Sequence, residues 1–288
     1  MQVSVIIQLY DFIIERDFMK TFQIKHYSIS SEKIREPLCL AVITDLHGIS
    51  YGRENNVLIS SINKLNPDAV LVAGDMIVCR EKDTLQTAEK LLAALAEKYP
   101  VYYASGNHEL KLFRSHIWHR TYWEYENRLK ASGVNVLRNH RMMARIKANR
   151  LCLYGLEIPV EYYKKPFSPR LFREDVTEYV GKPKRNSFNI LLAHNPKYAK
   201  AYFDWGADLI LCGHYHGGIL RLGEHTGVLS PQFHPFPRYC CGHFMNYRGQ
   251  HLLVSAGLGE HTLPIRIHNP RELLAIHVNP LENSSKAG

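Results

Sequence analysis

Three apolar, strand-like runs that each end in a short polar loop constrain the fold of this chain more than any other feature of its sequence. The runs are LCLAVIT (38–44), AVLVA (69–73) and VYYAS (101–105), and stretches with helical periodicity separate them. Successive βαβ crossovers produce this alternation, and they place the carboxyl ends of parallel strands at one edge of a sheet. The pattern therefore predicts an α/β fold in which the three polar loops lie together.

The loops at this edge carry side chains that bind metal ions or transfer protons. Two later strand-like runs, NILLAHN (189–195) and DLILCGHYHGG (208–218), contain histidines just after their apolar residues. The residues concerned are Asp45, His47, Asp75, Asn107, His108, His194, His214 and His216. Binding sites in open α/β sheets form beyond the carboxyl ends of the strands. A lone histidine at a strand end carries little information, but this many residues at one edge predict a metal-dependent site.

Glu109 directly follows the third loop, and two interpretations of it stay open. A carboxylate beside a metal site can orient a ligand histidine or a loop N–H group. An acidic residue in the first turn of a helix is also favoured by the helix dipole, without any role in a site.

The order of these motifs resembles that of the calcineurin-like metallophosphoesterases. The motifs are Asp-x-His, Gly-Asp, Gly-Asn-His-Glu, a lone His after a strand, and Gly-His-x-His, and the resemblance runs from about residue 38 to residue 278. It implies a four-layer α/β/β/α sandwich of two mixed sheets flanked by helices. The closing stretch GLGEHTLPIRIHNP (257–270) is similar to a bacterial branch that includes membrane-associated phosphodiesterases and lipid-precursor pyrophosphatases.

The resemblance also implies a role for each matching residue. One metal ion would be held by Asp45, His47 and His216, the other by Asn107, His194 and His214, and Asp75 would bridge both. His108 would stay off the metal ions and act catalytically by transferring protons. In the closing stretch, His261 and Arg266 would bind substrate at the rim of the pocket.

The chemistry of this ligand set indicates which metal ions it would take. Imidazole-rich ligation completed by oxygen, without thiolate, suits Mn, Fe, Zn or Co better than Mg or Ca. Two divalent ions would outweigh the two aspartate charges, so the centre would attract phosphate. Paired ions also lower the pKa of a shared water and hold the oxygens of an in-line displacement. We therefore expect two divalent metal ions and attack of a bridging hydroxide on a phosphodiester or pyrophosphate.

The chain of 288 residues is expected to form a single domain. Residues 1–37 would form an N-terminal helix and an edge strand, residues 38–278 the catalytic core, and residues 280–288 a flexible tail. The segment 158–187 interleaves prolines, aromatic residues and cations, and it is predicted to be a basic surface insertion or a substrate cap. Its side chains would either stack a base and hold phosphates or form a solvated loop.

A net charge of +9 predicts attraction to polyanions such as phosphorylated metabolites, anionic lipid headgroups or nucleic acid. The apolar stretch 3–14 is too short to span a bilayer, and it lacks the features of a secretion signal. Its apolar face would pack on the domain or lie on a membrane surface. The expected location is cytoplasmic, with peripheral contact to anionic membrane as a further hypothesis.

Three functions from different classes follow from these observations. The leading hypothesis is a phosphohydrolase acting on a phosphorylated small molecule or a lipid-linked substrate, such as a nucleotide-linked lipid precursor. A metal-dependent nuclease is the alternative, although the sequence contains no recognisable nucleic-acid-binding module. A non-catalytic scaffold of the same fold is disfavoured because His108 and all seven candidate ligands are present.

The six cysteines show no Cys-x-x-Cys spacing, and several lie inside apolar runs. They are predicted to be reduced thiols of the core. For the adjacent pair Cys240 and Cys241, packing and a redox or metal role both stay open.

Overall fold

The strands and helices follow one another in the order that the sequence pattern predicts. The structure is a computed structural model, and it describes residues 21–79, 81–164, 167–229, 235–260 and 265–281. The strands are β1 (Phe22–Ser31), β2 (Leu38–Ile43), β3 (Ala69–Ala73), β4 (Val101–Ala104), β5 (Asn135–Leu137), β6 (His140–Ile146), β7 (Asn149–Leu156), β8 (Phe188–Ala193), β9 (Leu209–Cys212), β10 (Arg221–Leu222), β11 (Thr226–Gly227), β12 (Gly242–Met245), β13 (His251–Val254) and β14 (Arg271–Pro280). The α-helices are α1 (Asn56–Leu65), α2 (Lys82–Ala96), α3 (Asn107–Phe113), α4 (His119–Ala131), α5 (Arg173–Val180) and α6 (Ala199–Trp205).

Two six-stranded mixed sheets form the centre of the molecule. The first has the strand order β1-β14-β2-β3-β4-β5, and the second has the order β12-β13-β9-β8-β7-β6. Strands β2 to β5 are parallel, as are β7, β8, β9 and β13, whereas β14 runs antiparallel to β2. The parallel strands of the predicted βαβ crossovers are therefore confirmed.

The inner strands of both sheets are buried on two faces, which explains their continuous apolar sequences, whereas the edge strands β1 and β6 are partly exposed. In β3, Leu71 points into the core between the sheets, whereas Val70 and Val72 pack among the buried residues of α1, α2 and α4. In β8, Ile190 joins the central core, and Leu191 packs with α5 and α6. Helices thus cover the outer face of each sheet, and the expected α/β/β/α sandwich is confirmed.

The segment 158–187 differs from the predicted surface insertion because part of it belongs to the core. Helix α5 lies within it, and Val176 and Val180 are buried with Leu171 in the helix layer on the second sheet. These valines stand one helical turn apart and so share one face of the helix. Two apolar positions among many charged residues gave too weak a periodic signal in the sequence.

Several expectations from the sequence concern residues outside the described ranges. They are the N-terminal helix within residues 1–20, the tail from residue 282 onward, and the side chain of His261. The strand predicted from FQIKHYSIS is β1, at the edge of the first sheet. None of the helices in the part of the chain that the structure describes has the length and apolar character needed to cross a membrane.

All six cysteines are free, as predicted from their spacing. Cys240 and Cys241 are fully buried and pack with Tyr215 in a small cluster of their own. Packing is therefore an established role of the pair.

Candidate metal centre

The loops that follow β2, β3, β4, β8 and β9 bring the predicted polar residues to one end of the sandwich. Asp45 and His47 follow β2, Asp75 follows β3, and Asn107 and His108 begin α3 after β4. His194 follows β8 in the second sheet, and His214 and His216 follow β9. The site is therefore built from both sheets and not from the single sheet edge that the strand pattern predicts. Parallel strands gather the residues of each sheet at one edge, and the stacking of the two sheets brings the two edges together.

One group of candidate ligands consists of Asp45, His47 and His216. One ligand atom from each lies within 4.8 Å of the others, and all three side chains are buried. The Nε2 atom of His216 is 3.4 Å from Oδ1 of Asp45 and 3.2 Å from Nε2 of His47. The backbone N–H of His214 donates to Asp45 Oδ1 at 3.0 Å and so orients this carboxylate.

A second group consists of Asp75, His194 and His214, whose ligand atoms also lie within 4.8 Å of one another. His194 Nε2 is 3.0 Å from Oδ2 of Asp75. Its other ring nitrogen, Nδ1, is 2.8 Å from the carbonyl oxygen of Ala73, so Nδ1 carries the proton and Nε2 faces the carboxylate. Asp75 Oδ2 is also 3.9 Å from His47 Nε2, which places this carboxylate between the two groups.

Asn107 supplies a direct test of whether these residues fit metal ions. Its side chain is 5% exposed, and its Oδ1 atom is buried without a hydrogen-bond partner in the described ranges. A buried acceptor without a partner costs about 1–3 kcal/mol. A cation at this position would remove that cost, and the surrounding imidazole and carboxylate donors suit a divalent transition metal. The residues present therefore fit a metal centre.

The ligand loops have an uncommon backbone conformation. Positive φ angles occur at Asp45 (49°), His47 (48°), Asp75 (53°), His214 (68°) and His216 (49°). Such angles are rare for residues other than glycine and cost about 1–3 kcal/mol each. Hydrogen bonds between the loops hold them, including Asp45 N–H to the Gly74 carbonyl at 2.9 Å and His47 N–H to the Asp75 carbonyl at 3.2 Å. Strained backbone of this kind concentrates at functional sites.

Glu109 connects the loops after β3 and β4. Its Oε2 atom accepts the N–H groups of Asp75 at 3.0 Å and Gly106 at 2.9 Å. Its Oε1 atom accepts the N–H of Met76 at 2.8 Å and the hydroxyl of Tyr103 at 2.9 Å. The side chain is fully buried, and burial raises the pKa of Glu109 to about 7. Both interpretations left open by the sequence hold, because the carboxylate orients loop N–H groups and, in the first turn of α3, also accepts the N–H of the N-cap residue Gly106.

Close approach of these two loops requires a glycine at position 106. A Cβ atom added there would lie 2.2 Å from Asp75 Oδ1, which is far inside van der Waals contact. The glycine thus lets the start of α3 reach the carboxylate, and the N–H of His108 donates to Asp75 Oδ1 at 2.8 Å.

Burial and mutual charge set the protonation of the buried acids and imidazoles. Burial raises the pKa of Asp45 to about 6. Burial favours the neutral acid at Asp75 too, but the imidazoles of His194 and His108 hold its pKa well below the usual range. Burial opposes the charged form of His194, yet the carboxylates of Asp75 and Asp45 raise its pKa to about 10. Without metal ions, the positive charge at the centre is thus a proton on His194.

His108 is half-buried beside the ligand groups, with its ring centroid 4.8 Å from that of His47. Its Nδ1 atom accepts the N–H of Cys79 at 3.0 Å. The proton of the neutral ring is therefore on Nε2, which makes Nε2 a hydrogen-bond donor and unsuited to metal ligation. One ligand atom of His108 also lies within 4.8 Å of ligand atoms of His47 and Asp75, so its expected position off the metal ions stays a prediction.

Two residues from the closing stretch hold the loop of His216. Arg266 donates through Nη2 to the carbonyls of Gly259 at 2.6 Å and Ala256 at 2.8 Å, and the same atom is 3.3 Å from His216 Nδ1. Asn269 donates through Nδ2 to the carbonyl of His216 at 2.5 Å. Substrate binding by Arg266 stays a prediction, whereas Asn269 was missed. Its only signal was a polar residue within the stretch that carries the family resemblance.

The beginning of the segment 158–187 lies against the candidate ligand His214. Tyr163, in the short 3-10 helix Val160–Tyr163, places its ring edge-to-face on His214, with centroids 5.3 Å apart. Tyr198 donates to the carbonyl of Tyr162 at 2.7 Å and anchors this turn. One wall of the site is therefore aromatic and comes from this segment.

The sequence matches the model of one known protein family over much of its length. A sequence model of the calcineurin-like phosphoesterase family matches residues 40–218, which is more than half of the chain. The match includes all eight of the polar residues described above and ends just beyond His216.

Two curated relatives have comparable similarity to the chain. A candidate metallophosphoesterase of Caenorhabditis elegans is 29% identical over 266 residues, covering 90% of this chain and 50% of the relative. The phosphodiesterase YaeI of Escherichia coli is 27% identical over 200 residues, covering 67% of this chain and 64% of the relative. The chain spans about half the length of the first relatives that it matches.

A solved structure from Staphylococcus aureus, described as a candidate 5′-nucleotidase, shares the fold. The TM-score is 0.50 and the sequence identity is 12%, with 88% of this chain and 56% of that chain covered. At this identity the likeness concerns architecture alone.

Replacing Glu109 by glutamine is expected to lower the free energy of unfolding by about 1–3 kcal/mol, because an amide NH2 would face a buried N–H donor. Urea denaturation of the metal-free protein measures this difference. Glu97→Gln, at an exposed glutamate, is the matched control and should change stability by less than about 0.5 kcal/mol. Equal stability of the Glu109→Gln and Glu97→Gln proteins would contradict the role of Glu109 in joining the loops.

Metal binding is expected to weaken as the pH falls, because a cation must displace the proton of His194. With the pKa of this imidazole at about 10 in the metal-free protein, the group is protonated at neutral pH. Apparent affinity for Mn²⁺ should therefore rise about tenfold per unit between roughly pH 7 and pH 9 for each proton displaced. Below about pH 6 the dependence should steepen, since Asp45 is then protonated too. Equilibrium dialysis measures this, and an affinity that is constant over the range would refute it.

Proposed function

The chain belongs to the calcineurin-like phosphoesterase family, and from this premise we propose that it is a dinuclear metal-dependent phosphohydrolase acting on a phosphodiester or pyrophosphate. One observation carries the proposal. Three overlapping groups of candidate ligand atoms meet in the described residues, and Asp75 belongs to two of them, one with His194 and His214 and one with His47 and His108. His47 in turn belongs to the group with Asp45 and His216, so Asp75 connects candidate ligands from both sheets.

The proposed ligands divide between the two ions in the way that the family resemblance implies. Asp45, His47 and His216 would hold one ion, Asn107, His194 and His214 the other, and Asp75 would contact both. The oxygen and imidazole donors suit Mn, Fe, Zn or Co. When bound, such ions supply positive charge that stabilises phosphoryl oxygens, and they lower the pKa of water.

The protein's own contribution is to hold these donors and to manage protons. Glu109 and the inter-loop hydrogen bonds fix Asp75 in its strained conformation, so the ligands need little rearrangement. His108 offers a protonated Nε2 atom next to the ligand groups. We propose that Nε2–H donates a hydrogen bond to a phosphoryl oxygen. To protonate the departing oxygen as a general acid, the ring takes up a second proton on Nδ1 in place of the contact with Cys79, and transfer of the Nε2 proton then leaves a neutral imidazole.

The substrate class follows from the charge of the centre and from the relatives. The positive charge of a metal-loaded centre favours a phosphorylated small molecule. The E. coli relative is named a phosphodiesterase. We propose a soluble or lipid-linked phosphate compound as the substrate. Peripheral contact with anionic membrane from the cytoplasmic side is part of the same proposal, and the net charge of +9 supports it.

The direct test is hydrolysis of bis-p-nitrophenyl phosphate by protein stripped with EDTA and then reloaded with Mn²⁺. Activity is expected only after reloading, and it should be absent from the Asp75→Asn protein, which loses the shared carboxylate. Asp83→Asn, at an exposed aspartate in α2, is the matched control and should retain full activity. Metal-independent cleavage, or full activity of the Asp75→Asn protein, would overturn the proposal.

Replacing His108 by alanine is expected to lower kcat about 10²–10⁴-fold, which is the usual contribution of a general acid. Metal content should stay unchanged, because His108 is not a proposed ligand. Metal analysis by mass spectrometry together with steady-state kinetics separates the two effects. His116→Ala, at an exposed histidine, serves as control. Unchanged turnover in metal-loaded His108→Ala protein would remove His108 from the mechanism.

A further inference from the structure

A second concave site lies between α5 and α6, outside the groups of metal ligands. Its volume is about 660 Å³, which is within the usual range for small-molecule sites. The cationic side chains that line it are Arg170, Arg173, Lys197, Lys200 and Arg248. They come from three parts of the chain: the loop and first turn of α5, the start of α6, and the turn between β12 and β13.

Most of this positive charge is not neutralised locally. The groove contains two carboxylates, of which Glu174 is 2.7 Å from Arg173 and Asp204 is 2.5 Å from Lys200. For Arg170, Lys197 and Arg248, no carboxylate of the described residues lies within ion-pair distance. Three exposed cations facing one concave surface attract anions and repel one another unless an anion binds between them.

The floor of the groove is fixed by polar contacts. The Nζ atom of Lys197 is 2.5 Å from the hydroxyl oxygen of Ser168, which itself lies 3.0 Å from the hydroxyl of the buried Tyr198. Phe172, at the rim, leaves 57% of its side chain exposed. Lys197 is thus held in place through Ser168 and keeps two ammonium protons for an anion, next to an aromatic surface.

We propose that this α5–α6 groove binds a phosphate-bearing group at a site separate from the metal centre. A phosphate presents several oxygens and up to two negative charges, which matches three cations better than a single carboxylate would. Arginine pairs with phosphate through two parallel hydrogen bonds, and lysine adds a point charge. The group could belong to a lipid headgroup or to a soluble phosphate compound.

The groove is joined to the metal centre by a short chain of contacts. Tyr198 lines the groove and donates to the carbonyl of Tyr162, and the neighbouring Tyr163 packs on His214. A phosphate compound held in the groove would therefore lie on the same side of the molecule as the aromatic wall of the site. Binding in the groove does not require that the metal centre be catalytic, so the inference stands apart from the proposed hydrolysis.

The test uses the full-length, metal-loaded protein and the double variant Arg170→Gln with Arg248→Gln. Two probes separate the sources: phosphatidylcholine vesicles with or without phosphatidylglycerol, and methylenediphosphonate, whose bridging carbon prevents cleavage. The matched control is Arg53→Gln with Lys64→Gln, which removes the same charge from a different groove between α1 and α2. Vesicle pelleting and isothermal titration calorimetry measure binding, and cleavage of bis-p-nitrophenyl phosphate is followed in parallel.

Wild-type protein is expected to bind at least one probe at a site that the double variant loses. The loss should be roughly 30-fold in affinity, about fivefold for each charge removed, while the control variant binds as wild type does. If the double variant loses vesicle binding, the ligand is a lipid headgroup. If it loses diphosphonate binding, the ligand is a soluble phosphate compound. The inference would be overturned if the double variant and the control variant lost affinity equally, or if wild-type protein bound neither probe outside the metal centre. Absence of hydrolysis with retained groove binding would instead count against the proposed function alone.

Discussion

The carboxylate of Asp75 lies where loops from both sheets meet, and the arrangement of the other candidate ligands depends on its position. Its Oδ2 atom contacts His194 from the second sheet at 3.0 Å, and its backbone carbonyl accepts the N–H of His47 from the first. Glu109 holds the N–H of Asp75 from the opposite side. Candidate ligands from both sheets thus meet at this one buried acid. The strained backbone at this junction is stable because so many hydrogen bonds determine it together.

Much of the sandwich and of the ligand set could be predicted from the sequence, for a definite physical reason. Strands such as AVLVA are covered on both faces, so they appear as continuous apolar runs that are easy to recognise. Parallel strands of one sheet must end at a common edge, and this rule brings Asp45, Asp75 and Asn107 together although they are far apart in the chain. That His194 joins them from the second sheet depends on how the two sheets stack. The prediction needed no knowledge of side-chain packing.

What the sequence could not reveal depends on contacts between distant residues. The roles of Arg266 and Asn269 follow from carbonyl groups of another loop, whose positions no local pattern encodes. Helix α5 was missed since its burial rests on Val176 and Val180 within a charged segment. The role of Glu109 could be assigned only from the groups that its carboxylate contacts in the structure. The α5–α6 groove likewise gathers cations from three separate segments, so composition predicted only attraction to anions.

The proposed metal centre contains two cations that share the carboxylate of Asp75. The most direct measurement is anomalous X-ray diffraction from crystals of the Mn²⁺-loaded protein. Two anomalous peaks are expected, roughly 3.5–4 Å apart, with the Asp75 carboxylate contacting both and Nε2 of His108 contacting neither. A single peak, or peaks away from Asp75 in fully loaded protein, would contradict the shared metal centre.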